Sequence, residues 1–78
     1  AAELIEFSVN DGSRLAGVSI SESKIPEKSR IGAIVRDNIV ISPKRNTVIE
    51  VGDKIVMCLL HEAAQKVEEF LSDNTQLI

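Results

Sequence analysis

The stretch RIGAIVRDNIVISP, residues 30–43, restricts the fold of this 78-residue chain more than any other feature. Asp37 and Asn38 suit a two-residue turn, because Asp and Asn tolerate positive φ better than most residues. Half of the residues on either side are Ile or Val, whose branched side chains favour strands. The stretch therefore predicts a β-hairpin with three facing pairs: Arg36–Ile39, Val35–Val40 and Ile34–Ile41.

Because side chains alternate along a strand, this hairpin would be largely apolar on both faces. The first face would carry Ile34, Arg36, Ile39, Ile41 and Pro43, and the second Ile31, Ala33, Val35 and Val40. So short a chain can cover one face with its own helices, but the first face would still expose adjacent large aliphatic side chains. Since monomers rarely expose such patches, we predict a homodimer with residues 30–43 in the interface.

Local periodicity predicts the remaining elements. In chain order they are a half-buried strand at 4–9, a short helix around 17–23, the hairpin, a strand at 54–60 and a helix from about 63 to 72. Because 54–60 (KIVMCLL) is continuously apolar, we predict a central strand buried on both faces. Residues 73–78 would fray or dock locally.

These elements predict one domain over residues 1–78, of the α+β class. It would contain a small antiparallel or mixed four-stranded sheet, in the order strand-helix-strand-strand-strand-helix. No apolar run approaches the roughly 20 residues that span a bilayer, so we expect a cytoplasmic location.

Residues that carry chemistry are sparse. Cys58 and His61 are the only residues of their kinds, so a nucleophile–base pair or a tetrahedral metal site is not expected. We predict that Cys58 is buried in its strand, that His61 begins the last helix, and that Asp53 tightens the turn at 50–53. The pattern therefore predicts neither an enzyme nor a bound metal or cofactor.

Two ligand classes are also disfavoured. The four glycines are dispersed and form no phosphate-binding loop, and two aromatic residues provide little stacking surface for nucleic acid. However, residues 24–54 hold seven of the nine basic residues against four acids, although the whole chain has a net charge of −3. This asymmetry allows an anion to bind in the middle of the chain, or it is only a lopsided solvated surface.

One candidate site remains, on the first face of the hairpin. There Arg36 would lie beside an apolar floor of Ile34, Ile39, Ile41 and Pro43. Small-molecule sites combine apolar ground with a few convergent polar groups. A protein interface with Arg36 at its rim is the competing interpretation, and the physical pattern alone favours it.

Three spaced patterns resemble the TrkA-C domain, the C-terminal lobe of the regulator-of-potassium-conductance (RCK) module. They are L-x-G at Leu15 and Gly17, I-x-A-I-V-R from Ile31 to Arg36, and S-P-x-x-x-T-x-I-x-x-G-D from Ser42 to Asp53. An apolar strand and a closing helix follow, so the resemblance covers nearly the whole chain.

The resemblance implies a regulatory role. Such domains follow a Rossmann-type lobe in the cytosolic subunits of potassium uptake systems and in potassium channels, and they commonly pair as dimers. Some bind an effector in the cleft between two copies, and cyclic di-AMP is one such effector. The positions that match the effector-binding region are Ile34, Arg36, Asn38, Ile39 and Pro43.

The expected function is therefore regulation of a potassium transporter or channel by dimerisation and effector binding, at the inner face of the membrane and without contact to nucleic acid. Two alternatives stay open: a structural assembly domain without a ligand, and a cytosolic accessory domain of a carrier for another solute.

Overall fold

Four strands form one sheet, and a helix near the C-terminal end packs on one side of it. The computed structural model describes residues 1–74. The strands are β1 (Ala2–Ser8), β2 (Ser29–Arg36), β3 (Ile39–Ile41) and β4 (Lys54–Leu60), and the helix is α1 (Ala64–Asn74). The strand order is β1-β4-β2-β3, and the pairings in this sheet are antiparallel. The predicted α+β class and the central position of strand 54–60 are confirmed.

The helical segments match the predicted order approximately. The short helix expected around 17–23 is a single 3₁₀ turn, Ile20–Glu22. His61 does begin the last helical segment, because a 3₁₀ turn at His61–Ala63 leads directly into α1. The prediction for residues 73–78 falls largely outside the described residues.

The hairpin of β2 and β3 closes as its sequence predicts. Asp37 and Asn38 have φ values of 51° and 65°, so both central residues of the turn are left-handed, as a type I′ turn requires. The three facing pairs are those predicted: Arg36–Ile39, Val35–Val40 and Ile34–Ile41.

One residue changes the alternation of side chains along β2. The pairing of β2 with β4 shifts register between Ile31 and Ala33, which leaves Gly32 as the extra residue of a β-bulge. Because of this bulge, Ile31 and Ile34 lie on the same face of the sheet and both are buried. The assignment of Ile31 to the second face was therefore wrong.

The first face of the hairpin belongs to the inner face of the sheet, which the chain covers by itself except at the hairpin end, where Ile39 is 65% exposed. The core there consists of Val9, Leu15, Ile31, Ile34, Ile49, Ile55, Met57, Leu59, Ala63, Val67 and Phe70. The side chain of Ile34 is 0% exposed, and Ile41 packs against the same core. The expectation that Ile34 forms part of an exposed apolar floor was therefore wrong, because α1 and the connecting loops occupy that side.

The opposite side of the sheet is here called the outer face. It carries three charged residues, Glu6, Arg30 and Lys54, and these apolar ones: Leu4, Ala33, Val35, Val40, Val56, Cys58 and Leu60. Leu4 is 72% exposed and Val40 71% exposed. Cys58 is exposed as well, so its predicted burial was wrong. Strand β4 is buried on the inner face only, because the one described α-helix covers one side of the sheet.

Candidate functional site

Arg36 ends β2 on the inner face and reaches across to the segment that precedes β4. Its Nε donates a hydrogen bond to Asp53 Oδ1 at 2.8 Å, and its Nη2 donates to Asp53 Oδ2 at 2.8 Å. Nη2 also donates to the carbonyl oxygen of Val48 at 2.9 Å. Two parallel bonds between a guanidinium and a carboxylate fix both the distance and the orientation of the two groups. We call this arrangement the Arg36–Asp53 clamp.

Asp53 is the buried half of the clamp. Its side chain is 1% exposed, and its Oδ2 also accepts the backbone N–H of Glu50 at 2.9 Å. The prediction that Asp53 tightens the turn at 50–53 is thus confirmed. The hydrogen bonds from Arg36 lower the pKa of the Asp53 carboxyl, and the same bonds raise the pKa of Arg36. Both side chains therefore remain charged at neutral pH.

A second carboxylate lies on the solvent side of the guanidinium. Glu50 Oε2 is 3.3 Å from Arg36 Nη1, and the Glu50 side chain is 59% exposed. The Arg36 side chain itself is 27% exposed, so part of the guanidinium is accessible. The candidate site thus has a fixed cation whose remaining nitrogen faces an exposed acid.

The five residues predicted to bind a ligand take different positions. Asn38 lies in the exposed turn, and Ile39 is 65% exposed although it is the cross-strand partner of Arg36. Pro43 is partly buried just after β3. Ile34 is buried beneath them, so its side chain supports the hairpin from the core. The structure therefore brings Arg36 and Ile39 together at the hairpin end and places Ile34 out of reach of solvent.

The role of two acids at this site was missed from the sequence. Asp53 was assigned to a turn and Glu50 was given no role, yet both lie against Arg36. The available signal was the position of Asp53, which follows a Gly and directly precedes the central strand. A carboxylate next to a buried strand needs a counter-charge, and Arg36 is a basic residue at the end of a neighbouring strand.

Two further side-chain contacts lie at the end of the sheet opposite to Arg36. His61 Nδ1 lies 2.7 Å from Glu3 Oε2, and Lys28 pairs with Glu62. Both pairs are exposed, and such pairs contribute little to stability. Within residues 1–74, no group of three His, Cys, Asp or Glu side chains is arranged to hold a metal ion, and no helix is long and apolar enough to cross a membrane.

Comparison with known proteins agrees with this architecture. Residues 4–72 match the TrkA-C domain family. The chain belongs to this family. It is 30% identical over 69 residues to the Trk system potassium uptake protein TrkA homolog 1 of Methanosarcina mazei, and 32% identical over 69 residues to TrkA of Azorhizobium caulinodans. Each match covers 88% of this chain but only 15% of the relative.

Solved structures of TrkA-C-like domains share the fold. The RCK C domain of the potassium transport protein KtrA, in complex with cyclic di-AMP, is 25% identical with a TM-score of 0.70, over 87% of this chain and 81% of that chain. The RCK C domain dimer of S. agalactiae BusR, also in complex with cyclic di-AMP, is 25% identical with a TM-score of 0.70, over 88% and 95%.

A third structure concerns nucleic acid. A longer S. agalactiae BusR chain in complex with promoter DNA is 26% identical with a TM-score of 0.73, and the match covers 99% of this chain but 38% of that one. The DNA complex is a property of that protein. The expectation that this TrkA-C domain does not contact nucleic acid stays a prediction.

Proposed function

We propose that this chain is a regulatory domain of a potassium transport system, which works as a pair of copies and responds to a small effector without catalysing a reaction. The observation that carries the proposal is its similarity to Trk potassium uptake proteins over 88% of its length. In this proposal residues 1–78 act as one domain on the cytoplasmic side, and the regulated partner is a membrane-embedded transporter or channel.

The effector in this proposal is cyclic di-AMP, which the similar KtrA and BusR domains bind. The hairpin end offers what such a ligand requires. Arg36 is a rigid cation suited to phosphate, and the exposed Ile39 beside it gives an apolar surface for a base. Asn38 and Pro43 complete the proposed contact region, with Ile34 as its buried support.

The second copy in this proposal covers the outer face. That face carries exposed aliphatic side chains from both edges and the centre of the sheet, among them Leu4, Val40 and Leu60. A patch of this kind marks an interaction surface in a monomer-sized domain. The hairpin contributes Val35 and Val40 to it, which keeps residues 30–43 in the proposed interface.

Titration calorimetry with cyclic di-AMP tests the effector. We expect saturable binding by the wild-type domain and at least ten-fold weaker binding by Ile39→Ser. Gln65→Ser is the control, because Gln65 is exposed on α1 and lies outside the turn at 50–53. No heat and no thermal shift at about 100 μM ligand, far above a micromolar dissociation constant, would leave the ligand-free assembly domain as the function.

A further inference from the structure

The nitrogen atoms of the Arg36 guanidinium differ in how closely they contact other protein groups. A guanidinium carries five N–H groups, one on Nε and two on each terminal nitrogen. Nε and Nη2 donate to the two oxygens of Asp53 and to the carbonyl of Val48, at 2.8–2.9 Å. Nη1 faces Glu50 at 3.3 Å instead. A ligand that approaches Arg36 from solvent would therefore meet Nη1, and would meet the Glu50 carboxylate with it.

Asp53 and Glu50 differ in how firmly they hold the cation. Asp53 is 1% exposed and makes two bonds, so a ligand cannot replace it without opening the fold. Glu50 is 59% exposed and makes a single longer contact. Exposed ion pairs are weak, and they exchange readily with solvent and other ions. Of the two acids, Glu50 is the one that a ligand can displace.

The backbone of Glu50 does not have to move in that exchange. Its N–H is bonded to Asp53 Oδ2 at 2.9 Å, and the turn is closed by a bond from the Asp53 N–H to the Glu50 carbonyl at 3.1 Å. Only the exposed side chain has to rotate away. The site could thus change from a bound carboxylate to a bound phosphate while the clamp stays intact.

We infer that Glu50 is a built-in competitor of the effector: its carboxylate occupies Arg36 Nη1 in the free domain, and an anionic, phosphate-bearing ligand binds by displacing it. This rests on the proposed effector function and adds the residue that sets its affinity. The competition lowers the affinity for anions in particular, because the displaced carboxylate remains close to the incoming phosphate and repels it.

Glu50→Gln tests this inference, since Gln keeps the size of the side chain and removes its charge. By calorimetry with cyclic di-AMP we expect Glu50→Gln to bind about three- to ten-fold more tightly than wild type. The variant no longer has to break a weak exposed ion pair, and it no longer repels the phosphate, and two effects of this size together correspond to that gain in affinity. The gain should shrink as salt is added, because both effects are screened. Glu68→Gln, an equal change in charge on the exposed side of α1, should bind like wild type.

Each result has a distinct meaning. If wild type binds and Glu50→Gln binds equally or more weakly, Glu50 is not a competitor, although the effector function stands. If neither wild type nor Glu50→Gln binds, the effector function and this inference both fail. Glu50→Ala provides a second variant at the same position, and it should bind more tightly than wild type as well.

Discussion

Asp53 shows how much a single residue depends on a distant partner. It is 1% exposed, and its charge is balanced by Arg36, which lies 17 positions earlier in the chain. The turn role of Asp53 could be predicted, because it is local. The clamp could not, since it requires knowing that the end of β2 lies beside the turn at 50–53.

The clamp predicts a large effect of Arg36→Ala on stability. Removal of the guanidinium leaves a buried carboxylate without its counter-charge, which costs about 3 kcal/mol or more of a total near 5–15 kcal/mol. Urea unfolding should show this loss, whereas Arg45→Ala, at an exposed position, should change the free energy of unfolding little. If Arg36→Ala unfolds at the same urea concentration as the wild type, the clamp does not form in solution. Because of this effect, loss of ligand binding by Arg36→Ala alone would not identify a ligand contact.

The lowered pKa of Asp53 predicts an acid-dependent stability. The carboxyl titrates at lower pH in the folded state than in the unfolded state, where its pKa is near 3.9. The contribution is therefore fully present above about pH 4 and is lost as the pH falls through the folded-state pKa. Asp53→Asn should be less stable at pH 7 and should lose less stability between pH 5 and 2, as measured by urea midpoints across that range. A parallel pH profile for wild type and variant would contradict this assignment.

Among the elements, the hairpin and the bulge show what a sequence pattern can and cannot indicate. The Asp37–Asn38 turn and its register follow from local chemistry and were predicted correctly. The bulge at Gly32 was not foreseen, although an isolated Gly within a strand pattern is a sequence signal for a bulge. That one-residue shift decides which face holds Ile31, since a strand alternates every residue.

Strand β4 offers a direct test of the two faces through neighbouring residues. Ile55 is 0% exposed on the inner face, whereas Val56 is half-buried on the outer face. Burial on both faces, which the sequence predicts for this strand, would make Asp equally damaging at either position. The structure restricts the severe effect to Ile55. Ile55→Asp should abolish cooperative thermal unfolding, because an unpaired buried carboxylate costs several kcal/mol. Val56→Asp should retain a cooperative transition, and equal damage from both variants would mean that β4 is buried on both sides in the monomer.

At the scale of the whole molecule, pairing across the fold uses part of the basic excess of residues 24–54. Lys28 pairs with Glu62, an acid outside that segment, whereas Asp53 and Glu50, which face Arg36, are among the four acids already counted within it. Charge counted along the chain therefore overstates the attraction for an anion. The two-sided apolar hairpin was the more informative signal. It predicted an uncovered apolar face, but residues 1–74 cover most of the predicted first face and leave the second, outer face exposed.

The exposed apolar residues of the outer face lead to a prediction about the proposed homodimer and about a substitution that should disrupt it. Ile41→Glu is unsuitable as a test, because Ile41 packs against the core and its loss would damage the fold. Val40→Glu places a charge at a position that is 71% exposed in the single chain and would be buried in the proposed dimer. We expect sedimentation velocity at high micromolar concentration to show a dimer for wild type and a folded monomer for Val40→Glu, because a buried unpaired charge opposes association. Val51→Glu, a change of the same type at a residue 54% exposed in the turn before β4, should remain dimeric. A monomeric wild type, or a dimer that both variants preserve, would show that the outer face is not where two copies meet.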